Sequence, residues 1–170
     1  MPTAKDVRQA FDDATDLGEV GRIVRVAARE RTGAQGATFV IREEGRCFYA
    51  DEDAIAPLWK GQRFPLTACI SGWAMLNDET AIVPDIEVDD RIPIEAYRPT
   101  FVRSLLMVPV GSPEPVAAIG AYWSKRRRPG DDEVERLEEL ASLTATAVKR
   151  IGLRDAPWAP NFGERRATPA

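Results

Sequence analysis

The sequence predicts an α+β fold: a central antiparallel sheet with the terminal helices on one face and a segment of loops and short helices on the other. Strand-like runs come in two pairs with short turns, helical periodicity is found at both ends, and an irregular, proline-containing stretch separates the pairs. The 170 residues, 44% of them hydrophobic, are enough for one domain with a substantial core. We expect a single domain over residues 1–153 and a disordered tail, rich in Pro, Ala and Arg, over 154–170.

Helical spacing of apolar residues predicts three terminal helices. Residues 4–14 carry one apolar stripe. A second helix begins after Asp16, which forms a capping box with Glu19, and ends before Gly33. The third covers residues 131–153 and has acidic residues in its first turn, where the helix dipole favours them. Its two adjacent apolar stripes predict contact with the sheet on one side and with another helix on the other.

Each pair of strand-like runs predicts a hairpin. The first consists of residues 37–41 and 46–50, and the second of residues 104–110 and 115–123. Both turns contain glycine, which favours tight chain reversal.

Between the two hairpins, the sequence predicts only loops, short helices and a short strand. Residues 51–65 have no clear period and are expected to form a loop. A short helix at 70–76 and a short strand at 81–83 follow. Residues 85–100 are acidic and contain prolines, so at most two helical turns are expected there, after Pro93.

Composition excludes several function classes. The chain contains no histidine, which removes Ser-His-Asp and Cys-His catalysis, His-based zinc sites and proximal-His haem ligation. The net charge of −4 argues against nucleic-acid binding, and the basic run at 125–128 is followed at once by acidic residues. Two cysteines, no signal-peptide pattern and no apolar stretch of membrane-spanning length predict a cytoplasmic protein without membrane association.

Several local sequences, taken in this order, resemble the GAF domain family. They are Ile70-Ser71-Gly72-Trp73-Ala74, IVPDI at 82–86, SLLMVPV at 104–110, AAIGAYW at 117–123, and the final helix, which looks like the end of GAF domains in bacterial sensor histidine kinases. The resemblance covers roughly residues 5–152. It implies a small-molecule pocket under the irregular segment, a homodimer built from the first and last helices, and a signalling partner such as a histidine kinase.

The resemblance also implies a set of pocket residues. The candidates are Phe39, Cys69, Trp73, Asp85, Arg91, Tyr97, Arg103, Ser104, Met107 and Trp123. Aromatic walls would supply contact area and a few polar groups would orient the ligand. The alternatives are that Trp73 and Trp123 belong to the core and that both arginines are solvated. Asp85 can equally cap the loop that follows it.

Several cofactors and activities known from GAF domains require particular residues, and this chain lacks those residues. Covalent bilin attachment uses a Cys-His pair where this chain has Tyr97-Arg98-Pro99, so neither bilin nor histidine-ligated haem is expected. The Asn-Lys pair of cyclic-nucleotide binders is missing. Free methionine sulfoxide reductases need cysteines in the loop at 85–103, and this loop has none.

Three hypotheses remain. The first is a non-enzymatic sensory domain that binds an unidentified small molecule and signals through a homodimer. The second is a thiol-based redox sensor or reductase using Cys69, a residue that can equally be an inert buried thiol. The third is a dimerisation scaffold, which predicts a filled interior.

Overall fold

A computed structural model describes residues 4–152, so the expectation for the tail at 154–170 lies outside the described residues. The predicted α+β class is confirmed. The helices are α1 (Ala4–Asp13), α2 (Leu17–Thr32), α3 (Ile70–Asn77), α4 (Ile94–Tyr97) and α5 (Asp131–Ile151). The strands are β1 (Gly36–Glu43), β2 (Arg46–Ala54), β3 (Arg63–Pro65), β4 (Ala81–Val83), β5 (Ser104–Val110) and β6 (Ala117–Trp123). Single 3₁₀ turns occupy Leu66–Ala68 and Ile86–Val88.

The six strands form one antiparallel sheet in the order β3-β2-β1-β6-β5-β4. The two predicted hairpins, β1–β2 and β5–β6, are joined in the middle of the sheet, where Phe39 lies opposite Ile119. Because successive residues of a strand face opposite sides, each strand contributes to two separate cores.

One core lies between the sheet and helices α1, α2 and α5. Asp16 caps α2 by accepting a hydrogen bond from the Glu19 amide at 2.9 Å, and Gly33 ends the helix with a φ of 68°. The Glu19 carboxylate accepts from the amide and hydroxyl of Thr15, one residue earlier than a capping box requires. Arg150 donates to the carbonyl oxygens of Phe11 and Ala14, which fastens the end of α1 to α5.

The first hairpin extends further than the sequence predicts. Residues 51–65 are not wholly a loop, because β2 continues to Ala54 and β3 pairs with the start of β2. The Glu52 carboxylate accepts hydrogen bonds from the backbone amides of Leu58, Trp59 and Lys60, each at 2.9 Å. These bonds satisfy three backbone amides of a turn that has no regular structure, and they fix the position of Trp59.

Replacing Glu52 by alanine is expected to lower the free energy of unfolding by about 2–3 kcal/mol, because hydrogen bonds to a charged acceptor are among the stronger ones. Urea denaturation followed by tryptophan fluorescence measures the loss. Glu87→Ala, at an exposed position, is the matched control and should stay within about 0.5 kcal/mol of the wild type. Equal stability of the two variants would show that Glu52 does not hold this turn.

The second core lies on the opposite face, under α3, α4 and the segments around them. In the part of the chain that the structure describes, no helix is both long and apolar enough to cross a membrane.

Candidate functional site

Five aromatic rings pack together on the loop-facing side of the sheet. We call them the aromatic cluster: Tyr49, Trp59, Phe64, Tyr97 and Tyr122. Trp59 is its centre, with ring centroids 5.6 Å from Tyr49, 4.6 Å from Tyr97 and 5.4 Å from Tyr122. The Trp59 indole N–H donates to the Ala96 carbonyl oxygen at 3.0 Å and so ties the turn after β2 to α4. Such rings supply a large apolar contact area in a defined geometry.

A small cavity of about 10 Å³ remains among these rings, enough for one water-sized molecule. It is lined by Tyr49, Trp59, Phe64, Cys69, Pro93, Ala96 and Tyr97.

The three phenols at this site are not equivalent. The Tyr49 hydroxyl pairs with the Ser71 hydroxyl at 3.0 Å, and that of Tyr122 pairs with Thr38 at 2.8 Å. The buried hydroxyl of Tyr97 has no hydrogen-bond partner among the described residues. Burial raises the pKa of all three phenols, so each is a neutral donor at physiological pH. Of the three phenols, Tyr97 is the one whose hydroxyl has no partner among the described residues, so it can be offered to a bound molecule.

Two thiols lie at the same end of the cavity. Cys69 immediately precedes α3 and Cys47 belongs to β2, and their sulfur atoms are 3.1 Å apart. The Ser71 hydroxyl is 3.3 Å from the Cys69 sulfur. The hydrogen bond between the Cys69 and Cys47 sulfur atoms lowers the pKa of Cys69 to about 7, and the hydrogen bonds with the Ser71 hydroxyl and with the backbone of Ser71 and Gly72 act in the same direction against burial. That same bond to Cys69 is the main reason why the pKa of Cys47 is raised, and burial adds to it.

The structure brings only some of the sequence candidates to this cavity. Cys69 and Tyr97 line it, and Met107 lies in the same core. Trp73 packs at the margin of that core, with the Arg91 guanidinium 4.4 Å above its ring centroid. Arg91 is also bonded through two nitrogen atoms to Asp89, which holds the pKa of that carboxyl below its ordinary value. Arg91 is therefore already paired with a carboxylate.

The remaining candidates serve other contacts. Asp85 caps the turn at 86–88 by accepting from the Glu87 amide at 2.9 Å. Arg103 is exposed and donates to the carbonyl oxygens of Thr100 and Val102. The buried Ser104 hydroxyl donates to the Lys125 carbonyl oxygen at 2.7 Å.

Phe39 and Trp123 need correction as pocket residues, because both lie in the helix-facing core on the other side of the sheet. Their strand neighbours Val40 and Tyr122 face the loops instead. Strand alternation thus separates residues that are adjacent in sequence. The sequence analysis missed Tyr49, Trp59, Phe64 and Tyr122, although an unexplained tryptophan in a predicted loop was a signal available for Trp59.

The described residues contain no group of three or more Cys, Asp or Glu side chains placed to share an ion.

Comparison with known proteins agrees with this architecture. A family model described as GAF domain matches residues 14–149. The GAF domain of an Acinetobacter phosphoenolpyruvate-protein phosphotransferase is similar, with a TM-score of 0.76, 14% identity, and coverage of 89% of this chain and 95% of that chain. A free methionine-R-sulfoxide reductase from Neisseria meningitidis, solved in complex with its substrate, has a TM-score of 0.74, 18% identity, and coverage of 87% of each chain. The GAF-B domain of DevS from Mycobacterium smegmatis has a TM-score of 0.65, 16% identity, and coverage of 79% and 94% respectively. A search of curated proteins gave no match.

Proposed function

This chain belongs to the GAF domain family, and from that premise we propose that it is a cytoplasmic, non-enzymatic sensory domain that binds a small molecule within the aromatic cluster. The observation that carries the proposal is the Tyr97 hydroxyl, which is buried, lines the cavity and has no partner among the described residues. Native proteins rarely leave such a group unsatisfied, so an unsatisfied one indicates a missing partner. The chemistry of the site favours a flat, mainly apolar compound that carries a hydrogen-bond acceptor.

Binding requires the site to open. Ligand pockets usually enclose about 300–1,000 Å³, far more than the cavity holds in this conformation. The segment that covers the cavity is α4, a single turn of four residues between Pro93 and Pro99. A hydrogen bond from the Trp59 indole N–H to the Ala96 carbonyl oxygen ties it to the rest of the site. A short element with few ties opens locally at low free energy, and we propose that the ligand enters by displacing it.

We propose a homodimer as the signalling form, with a histidine kinase or another signalling protein as the partner that responds. Both apolar stripes of α5 are used inside the protein, where Leu137, Leu140, Thr144 and Val148 are buried. One apolar surface left on the terminal helices is a groove of about 270 Å³ between α1 and α2, which includes Ala10, Ile23 and Val26. We place the dimer contact there, next to α2, which packs on the sheet.

A ligand-free dimerisation scaffold is the second candidate. The small size of the cavity favours it, because a scaffold needs no space inside. The two functions differ in whether the purified protein carries a bound compound.

Native mass spectrometry of the protein purified from its own host separates them. A sensory domain is expected to appear as a dimer carrying a reproducible extra mass. In Tyr97→Phe that complex should be about tenfold weaker, since one hydrogen bond to the ligand is lost. Tyr122→Phe removes a hydroxyl that already pairs with Thr38, and it should keep the extra mass.

The same two variants differ in stability in the ligand-free state. Tyr97→Phe is expected to leave the free energy of unfolding unchanged or to raise it by about 1 kcal/mol, because it removes a buried hydroxyl that has no partner. Tyr122→Phe should lower it by about 1 kcal/mol, because it leaves Thr38 unpaired. In native mass spectrometry, a wild-type protein without any extra mass would favour the scaffold. A monomeric wild-type protein would contradict signalling through a homodimer.

A further inference from the structure

The two cysteines of the chain form a close dithiol pair, of which Cys69 lines the cavity. Cys47 and Cys69 are both free thiols, and their sulfur atoms are 3.1 Å apart. A disulfide bond is about 2.05 Å long, so the sulfur atoms need to approach by only about 1 Å. They come from elements 22 positions apart in sequence, and the fold itself therefore creates the pair.

The two thiols have different access to small molecules. Cys69 keeps 6% of its surface exposed and lines the cavity, whereas Cys47 is 0% exposed and lies behind it. Cys69 also has the lowered pKa, because Cys47 and Ser71 both hydrogen-bond to its sulfur atom. The thiol that reacts first with an oxidant is the one with more thiolate character and better access. Both criteria favour Cys69.

The cavity wall carries a polar group that can bind a small oxidant. The cavity of about 10 Å³ is the size of one water molecule, so hydrogen peroxide, one of the smallest two-electron oxidants, needs only a slight widening of the site to enter. The Tyr97 hydroxyl, which has no partner among the described residues, is also in the cavity wall and can donate a hydrogen bond to the peroxide.

We propose that Cys47 and Cys69 are a reversible redox pair, in which Cys69 reacts with a hydroperoxide and Cys47 then closes a disulfide between β2 and the start of α3. The proposal does not depend on the small-molecule ligand proposed above. It differs from a redox role of Cys69 alone, because the second thiol provides a stable and reversible oxidised state.

The chemistry proceeds in two balanced steps. The Cys69 thiolate attacks one oxygen of hydrogen peroxide, so that an S–O bond forms, the O–O bond breaks, and the released hydroxide takes up a proton to become water. The sulfur has then lost two electrons to the peroxide and is a sulfenic acid. The Cys47 sulfur next attacks the Cys69 sulfur, the S–S bond forms, and the hydroxyl group leaves with the Cys47 proton as a second water. A reducing dithiol converts the Cys47–Cys69 disulfide back to two thiols by thiol–disulfide exchange.

Intact-mass spectrometry of the folded chain after treatment with hydrogen peroxide tests the proposal. The sequence contains only these two cysteines, so an intramolecular disulfide has only one assignment. The monomer is expected to become about 2 Da lighter, through loss of two hydrogens, and to regain that mass with dithiothreitol.

Cys47→Ser and Cys69→Ser distinguish the two roles. Cys47→Ser should stop at the sulfenic acid, about 16 Da heavier, which dimedone captures on Cys69. In Cys69→Ser, the remaining thiol should react at least about tenfold more slowly, because Cys47 is buried. Circular dichroism verifies that each variant is folded before treatment.

Two results would overturn the proposal. The first is a folded wild-type protein that keeps both free thiols in excess peroxide, which needs no variant to interpret. The second is a folded Cys69→Ser variant that is oxidised as fast as Cys47→Ser, which would remove the assignment of Cys69 as the reacting thiol.

Discussion

Replacing Gly72 by alanine is expected to lower the free energy of unfolding by more than about 4 kcal/mol, which removes most of the stability of a domain at the low end of the ordinary range. The first turn of α3 crosses directly over the 3₁₀ turn at Leu66–Ala68. A methyl group at Gly72 would collide with the Leu66 carbonyl oxygen and would lie 2.7 Å from the Leu66 Cα. Both contacts involve backbone, which cannot rotate away as a flexible side chain can, so α3 would have to move.

The measurement is thermal and urea denaturation of Gly72→Ala beside Gly130→Ala. At Gly130 the added methyl meets the Glu133 carboxylate at 3.7 Å, which is ordinary van der Waals contact. That variant should lose less than about 1 kcal/mol. A Gly72→Ala protein within about 1 kcal/mol of the wild type would mean that α3 does not approach the 3₁₀ turn this closely.

Phe39→Ala is expected to lower the free energy of unfolding by about 3–5 kcal/mol, the range for removing a phenyl ring from a packed interior. Phe39 has no exposed surface and packs in the core between the sheet and the helices. It lies in the middle of β1, opposite Ile119 of β6, so the resulting cavity would open at the centre of the sheet. Urea denaturation monitored by circular dichroism measures the change.

Val88→Ala is the control, since Val88 is 78% exposed and its shortening should change stability by less than about 0.5 kcal/mol. Phe39→Leu keeps most of the apolar volume and should lose less than Phe39→Ala. A Phe39→Ala protein of nearly wild-type stability would contradict the placement of Phe39 in a packed core.

The sequence contains enough local information to predict most of the fold. Asp16 and Gly33 mark the ends of α2 through capping, and the β5 and β6 runs are apolar enough to predict strands directly. The strand β3 could not be predicted, because it has three residues, ends in proline and shows no period. It exists through its register with β2, where Phe64 lies opposite Cys47, and such pairing is visible only in three dimensions.

The site was less accessible to prediction because it depends on which face of the sheet each residue occupies. In the pairs Phe48-Tyr49 and Tyr122-Trp123, alternation requires opposite faces but does not say which residue faces the loops. The register of β1 against β2 also shifts between Phe39 and Val40. The resemblance named Cys69 and Tyr97, which line the cavity, yet it could not supply Cys47, which meets Cys69 through the tertiary fold.

Tyr122 and Trp123 are adjacent in sequence but lie on opposite faces of the sheet, so two neighbouring residues connect the two cores. The Tyr122 ring packs on Trp59, and Trp123 lies under the Arg127 guanidinium at 4.6 Å from its ring centroid. Arg127 in turn holds the Glu133 carboxylate at the beginning of α5, at 2.9 Å. A displacement of the backbone at Tyr122 and Trp123 would therefore reach the aromatic cluster on one face and the first turn of α5 on the other.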